Sequence, residues 1–169
     1  MAMEVGLRHN AAARSQRTLH LVDVENLEGC AEFSELDAAA TAAAYMAAVQ
    51  VRVGDVIIIA SSHHSAAAAW YGWPHNARRL VRSGVDGADR ALLEVLAKEH
   101  VQDRFARVVI GSGDHIFAVP ARALVAQGVA VTVVTRGRSL ARELAVAVSD
   151  IRYLDGDPTF VPDISRRAA

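Results

Sequence analysis

Cysteine is nearly missing from this chain. Cys30 stands alone among 169 residues, so no disulfide framework holds the fold, a reducing compartment is expected, and the thiol reads as a small, semi-buried hydrophobe. An excess of charge is missing too: 18 Lys and Arg face 19 Asp and Glu, which excludes a protein that grips nucleic acid by bulk counterion release and leaves only local contacts. No apolar run reaches the roughly 18 residues of a membrane span. Residues 1–17, MAMEVGLRHNAAARSQR, lack the apolar centre of a signal peptide. A cytoplasmic protein without a membrane partner is expected. Long linkers, internal repeats and low-complexity tracts other than Ala-rich helices are absent as well, which argues for one domain between two frayed ends.

What the chain does have is apolar surface: 52% of its residues are hydrophobic, enough for one well-buried core at this length. Short runs rich in Val and Ile at 19–24, 56–60, 78–81, 107–110 and 129–134 read as strands, apolar on both faces as in a covered parallel sheet. Longer amphipathic stretches separate them. Phe33, Leu36, Ala40, Ala43, Ala44 and Ala47 form one helical stripe; 88–100 and 120–127 are further helices, the last with Pro120 in its first turn and Gly128 at its close. This alternation predicts right-handed crossovers and a three-layer α/β/α sandwich of doubly wound type.

In such a sheet ligands bind beyond the carboxyl ends of the strands. The first strand runs TLHLVDVENLEG and places Asp23, Glu25 and Asn26 at its mouth. The fourth runs into Gly111, Ser112, Gly113 and Asp114, and the third is followed by SGVDGADRALLEVL, with Asp86 and Asp89 at a helix start. Plain structural roles exist for several of these: Asp86 and Asp89 have capping-box spacing, Asp114 suits a cap, and Asn26 suits a turn. Asp23 resists such an account, because a carboxylate at the mouth of a buried strand loses hydration unless a cation or donor is close. Crowded carboxylates repel unless a divalent cation neutralises them, and Mg²⁺ or Mn²⁺ takes oxygen ligands and shares them with substrate phosphate.

The segments LVDVENL, SGVDGADRALLEVL and VVIGSGDHIFAVPARALVAQGVAVTVV resemble the signature segments of the NYN domains, in the PIN-like superfamily of metal-dependent ribonucleases. The resemblance runs from about Leu19 to Leu154 and rests on Asp23 with Asn26, and on Ser112, Asp114, Phe117 and Pro120. It implies a single domain over 18–155 with a tail at 156–169, and a sheet of order 3-2-1-4-5 in which Asp23 and Asp114 lie on neighbouring strands. It also implies an Mg²⁺ or Mn²⁺ site of Asp23, Asp89 and Asp114 acting on RNA. Many members carry a further acid just after the one matched by Asp114. Here Ile116 and Ala118 stand in that region, so Asp86, or Glu25, is left to serve as the extra ligand.

Around these acids Asn26 and Ser112 are expected to orient ligands or substrate, and Arg82, Arg90, Arg136 and Arg138 to meet RNA phosphates, with Arg78, Arg79 and Arg142 in the same surroundings. His63 and His64 sit in a polar loop, SSHHS, after the second strand; their role, and that of His115, is left open. Trp70, Tyr71 and Trp73 are expected to be buried against the sheet. The expected activity is an endoribonuclease, with a noncatalytic RNA-binding module of the same fold as its alternative and a homodimer admitted. A phosphate-transfer domain with Asp at a strand end is weaker, because it needs a lysine at the site and the only one, Lys98, falls at the far end of a helix.

Overall fold

The computed structural model describes residues 15–155. Positions 1–14 of the expected N-terminal arm and the expected tail at 156–169 lie outside the described residues. Six parallel strands form one sheet in the order β3-β2-β1-β4-β5-β6: β1 (Ser15–Asp23), β2 (Val56–Ser61), β3 (Arg78–Val81), β4 (Phe105–Gly111), β5 (Ala130–Thr135) and β6 (Asp150–Tyr153). The helices are α1 (Val24–Glu28), α2 (Glu35–Val49), α3 (Ala66–Gly72), α4 (Gly87–Lys98), α5 (Val101–Arg104), α6 (Ala118–Ala126) and α7 (Arg142–Ala145). This is the α/β/α sandwich expected, with a sixth strand added at its edge.

The period of two along each strand divides the core. Leu19, Leu21, Ile58, Val108, Ile110 and Val133 point to the face covered by α4 and α6, with Leu92, Phe117 and Leu124. Val22, Ile57, Ile59, Val109 and Val134 point to the other, under α2 and α3, with Tyr45 and Trp73. Both faces are apolar because both are covered. His20 is the exception, 1% exposed on the α2 side. Its Nδ1 lies 3.0 Å from the Tyr45 hydroxyl and its Nε2 3.5 Å from Asp55. Burial lowers the His20 pKa in spite of the neighbouring carboxylate.

Several expectations change here. The first strand ends at Asp23 and not at 24, since Asp23 caps α1 and Val24 begins it; it also starts at Ser15, inside the expected arm. The buried face of α2 is Ala38, Thr41, Ala42 and Tyr45, whereas Leu36 is 81% exposed and Ala40, Ala43, Ala44 and Ala47 face out. In so Ala-rich a helix hydrophobicity carries little contrast, and the anchor is Tyr45, whose hydroxyl needed a buried partner. Cys30 is exposed, its thiol near the Glu32 carbonyl. Trp73 is buried as expected, but Trp70 and Tyr71 on the outer side of α3 are exposed. Asp155, the last residue of the expected domain, accepts a hydrogen bond from Gly137 N at 3.0 Å. Among the described residues no helix is long and apolar enough to cross a membrane.

The register sets the working edge. Asp23 stands level with Ala60 and Val22 with Gly111, which in turn is level with Val134, so the loops after β1, β2, β4 and β5 open side by side.

Candidate functional site

The loops are tied together by their own polar groups. Asp23 Oδ1 accepts from Asn26 N at 3.1 Å and so caps α1, which buried Val24 and Leu27 pin to the core. Asn26 then reaches across to β4, where its Oδ1 accepts from Gly113 N at 2.9 Å. Gly113 has no room for a side chain: a Cβ would run into the Ser139 carbonyl and lie 2.6 Å from Thr135 Oγ1. Its own carbonyl accepts from Ala141 N at 2.8 Å, which fixes the loop after β5. Ser112, fully buried, receives Asp114 N at 3.2 Å. Asp114 Oδ1 accepts from Ile116 N at 2.9 Å and lies 2.9 Å from His115 Nδ1.

Alternation along β1 turns Asp23 towards α4, and there it meets Asp89 in that helix's first turn. The two carboxyl groups are 5% and 6% exposed and hydrogen-bond each other. Two anions cannot do that, so one holds a proton. Burial, then the charge and hydrogen bond of Asp23, then the charges of Asp114 and Asp86 push the Asp89 pKa up to about 8. Asp23 is raised as well, by burial above all, against the lowering effect of the Asn26 amide. At neutral pH the pair therefore holds one proton. Asp89 Oδ1 is buried with no hydrogen-bond partner. Among the described residues no three acidic, His or Cys side chains stand close enough together to ligate one ion. The cluster is a touching pair with Asp114 and Asp86 in electrostatic range.

Asp86 does not cap α4, contrary to the capping-box reading: it takes a left-handed backbone, φ 53°, and its side chain bonds nothing there. Glu25 is occupied elsewhere. It accepts from Ser62 N at 2.9 Å and from Ser65 Oγ, and although burial raises its pKa these donors outweigh that and the net shift is downward. This tie between the loops after β1 and β2 was missed from the sequence, though Ser62 and Ser65 at helical spacing were its available sign. In the same loop His63 bonds Ser83 through its amide, at 3.1 Å, and its ring.

The arginines divide into two groups. Arg82 pairs with Glu94 at 2.6 Å, Arg78 with Glu99, and Arg79 donates to the carbonyls of Trp70, Pro74, His75 and Ala77. Arg136 is spent on the fold, its guanidinium bonding the Leu27 carbonyl and Thr41 Oγ1. Arg90, Arg138 and Arg142 are exposed and make no ion pair among the described residues. Arg138 lines an open cavity of about 410 Å³ with Asn26, Asp114 and His115. Lys98 bonds Glu94 at 3.1 Å, at the end of α4 away from the acids.

No family model matches the chain, and no curated protein matches it. Among solved structures it is similar to a protein of unknown function from Vibrio parahaemolyticus. The two share 17% identity with a TM-score of 0.55, over 85% of this chain and 95% of that one. This likeness extends to the fold.

Proposed function

We propose that the chain is a metal-dependent phosphodiesterase, an endoribonuclease of the NYN type acting on RNA in the cytoplasm. The observation that carries the reading is the buried Asp23–Asp89 pair: two carboxyls share a proton at the carboxyl edge of the sheet, and one oxygen is left without a partner. Buried polar atoms are rarely left so. Replacing the shared proton by Mg²⁺ or Mn²⁺ would neutralise the pair and use the orphan oxygen, so the donor set fits a hard cation.

Asp23 and Asp89 would hold the ion, with Asp114 and Asp86 at the rim, near enough to act on it through their charge. Once bound, the cation supplies a water of lowered pKa and neutralises charge developing at phosphorus. The protein's part is placement. The amide of Asn26 orients Asp23, and its side chain holds the loop bearing Asp114 in register with it. Ser112 sets the backbone of Asp114. Arg138, unpaired among the described residues beside Asp114, is the arginine best placed to receive an RNA phosphate; Arg90 is the other free cation near the acids, while Arg82 and Arg136 would have to leave existing partners.

The test is cleavage of a labelled single-stranded RNA together with melting in Mn²⁺. Wild type should be stabilised by millimolar Mn²⁺, as any ligand of the folded state alone stabilises it. Asp23→Asn and Asp114→Asn should fold, lose that response and cut RNA at least 10²-fold more slowly, roughly 2.7 kcal/mol of lost transition-state stabilisation. Cutting that persists in EDTA or in Asp23→Asn would sink the reading. One observation favours the noncatalytic module: Ile116 replaces an acid, and its amide already occupies an oxygen of Asp114. On that reading wild type binds RNA uncut and Ile116→Asp gains activity.

A further inference from the structure

We propose a second site at the opposite, amino-terminal edge of the sheet, where Arg107 receives the terminal phosphate of a small molecule. All six strands are parallel, so this edge is separated from the acids by the length of β1; Thr18 to Asp23 alone spans roughly 17 Å. On the α2 face of the sheet α2 stops at Val49, and beneath its end lies a cavity of about 80 Å³ lined by Thr18, Arg52, Asp55, Arg107 and Arg152 among others. Arg107 stands on β4, a central strand that is otherwise apolar along this face, level with Thr18 on β1. A guanidinium has no packing role there that an apolar residue would not fill better.

Charge in the cavity is unbalanced towards cations. Asp55 is already used: it accepts from Thr18 N at 2.7 Å and Arg52 N at 2.8 Å and faces His20. Arg152 is held by the Ala48 carbonyl and by Asp150 at 3.4 Å, which covers one of the carbonyls at the end of α2 that would repel an anion. The side chains of Arg107 and Arg52 have no ion pair or hydrogen bond among the described residues. Two unspent guanidinium groups around a small polar cavity offer bidentate donors to an oxyanion. At about 80 Å³ the cavity is small beside the roughly 300–1,000 Å³ of an ordinary small-molecule pocket. It admits one tetrahedral group and leaves a sugar or base outside. A phosphate flanked by two riboses would not reach in, so the site selects a monoester end and is independent of the RNA-cleaving role proposed for the other edge.

The probe is inorganic phosphate, titrated calorimetrically into the full chain in EDTA at constant ionic strength, with a nucleoside 5′-monophosphate and a dinucleoside monophosphate as the ester and diester arms. Saturable binding of phosphate and of the monoester is expected, with the diester at least tenfold weaker. Arg107→Ala, an exposed substitution that should leave melting unchanged, should weaken binding roughly tenfold or more, as for a lost hydrogen bond to a charged group. Arg138→Ala, at the acidic edge, should bind as wild type. Absence of saturable binding, undiminished binding in Arg107→Ala, loss in Arg138→Ala, or a diester that binds as well as the monoester would each overturn the assignment.

Discussion

Asp89 enters the fold carrying a proton that it would lose in water at neutral pH. Its pKa in the folded chain is about 8, against roughly 3.9 when unfolded, so between those values the native state binds the extra proton. Stability must therefore fall as pH rises through that range and level off above about 8. His20 acts with the opposite sign: burial lowers its pKa, the unfolded chain takes the proton first, and stability falls as pH drops below about 6.5. From pH 6.5 to 8 the acidic pair dominates between these two groups. Asp89→Asn should melt a few degrees higher than wild type at pH 8, with a smaller gain at pH 6.5, and thermal scans across that interval would measure it. An unchanged pH slope would place the proton elsewhere. The meeting of Asp23 with Asp89 was legible in the sequence because a carboxylate ending an apolar strand has few partners other than the helix start beside it, whereas Asp114 also takes the capping role its position allowed. Asp86 was misread as a cap because spacing does not reveal a left-handed backbone.

The elements were legible where apolar runs were long and both faces of a strand were buried. β1 to β5 follow from such runs. β6 did not, because its four residues include Asp150 and Arg152 and are all half-buried at an edge, where one side of the ladder is open. The face of α2 was also hidden, since alanine fits either side. Nor could periodicity show the bridge from Asn26 to Gly113, which joins loops 87 positions apart. That bridge should matter in proportion to the amide it satisfies. Asn26→Ala leaves Gly113 N unpaired and should cost about 1–3 kcal/mol, whereas Gly113→Ala must push back the Ser139 backbone. Both would be read from urea midpoints, and Asn26→Ala should also weaken Mn²⁺ binding by freeing the loop of Asp114. Full Mn²⁺ affinity in that variant would show that the bridge is structural alone.

At the level of the molecule, the shared proton and the proposed cation compete for one place. If a cation displaces one proton from the Asp23–Asp89 pair, its apparent affinity should rise up to about tenfold per pH unit below pH 8 and flatten above it, as for any ligand whose binding releases a proton. Mn²⁺ titrations at pH 6, 7, 8 and 9 would trace this curve. A flat profile would separate the cation from the pair. The sheet order was legible from the resemblance for five strands, and the register that levels their ends supplies what the sequence withheld, namely which loops meet.

The pairing of β1 with both β2 and β4 also orders events during synthesis. Val22 on β1 finds its β4 neighbour Gly111 only after β2, α3, β3, α4 and α5 have been made. Until then a nascent chain holds β1 with one edge of its hydrogen-bonding ladder open, and Leu19, Leu21 and Ile58 await the cover that β4 and α6 complete. Such non-local closure is slow and leaves sticky surface exposed meanwhile. The same closure brings the loop of Asp114 to the edge that already holds Asp23 and Asp89, so a nascent chain caught before it lacks both the complete acidic edge and a finished sheet.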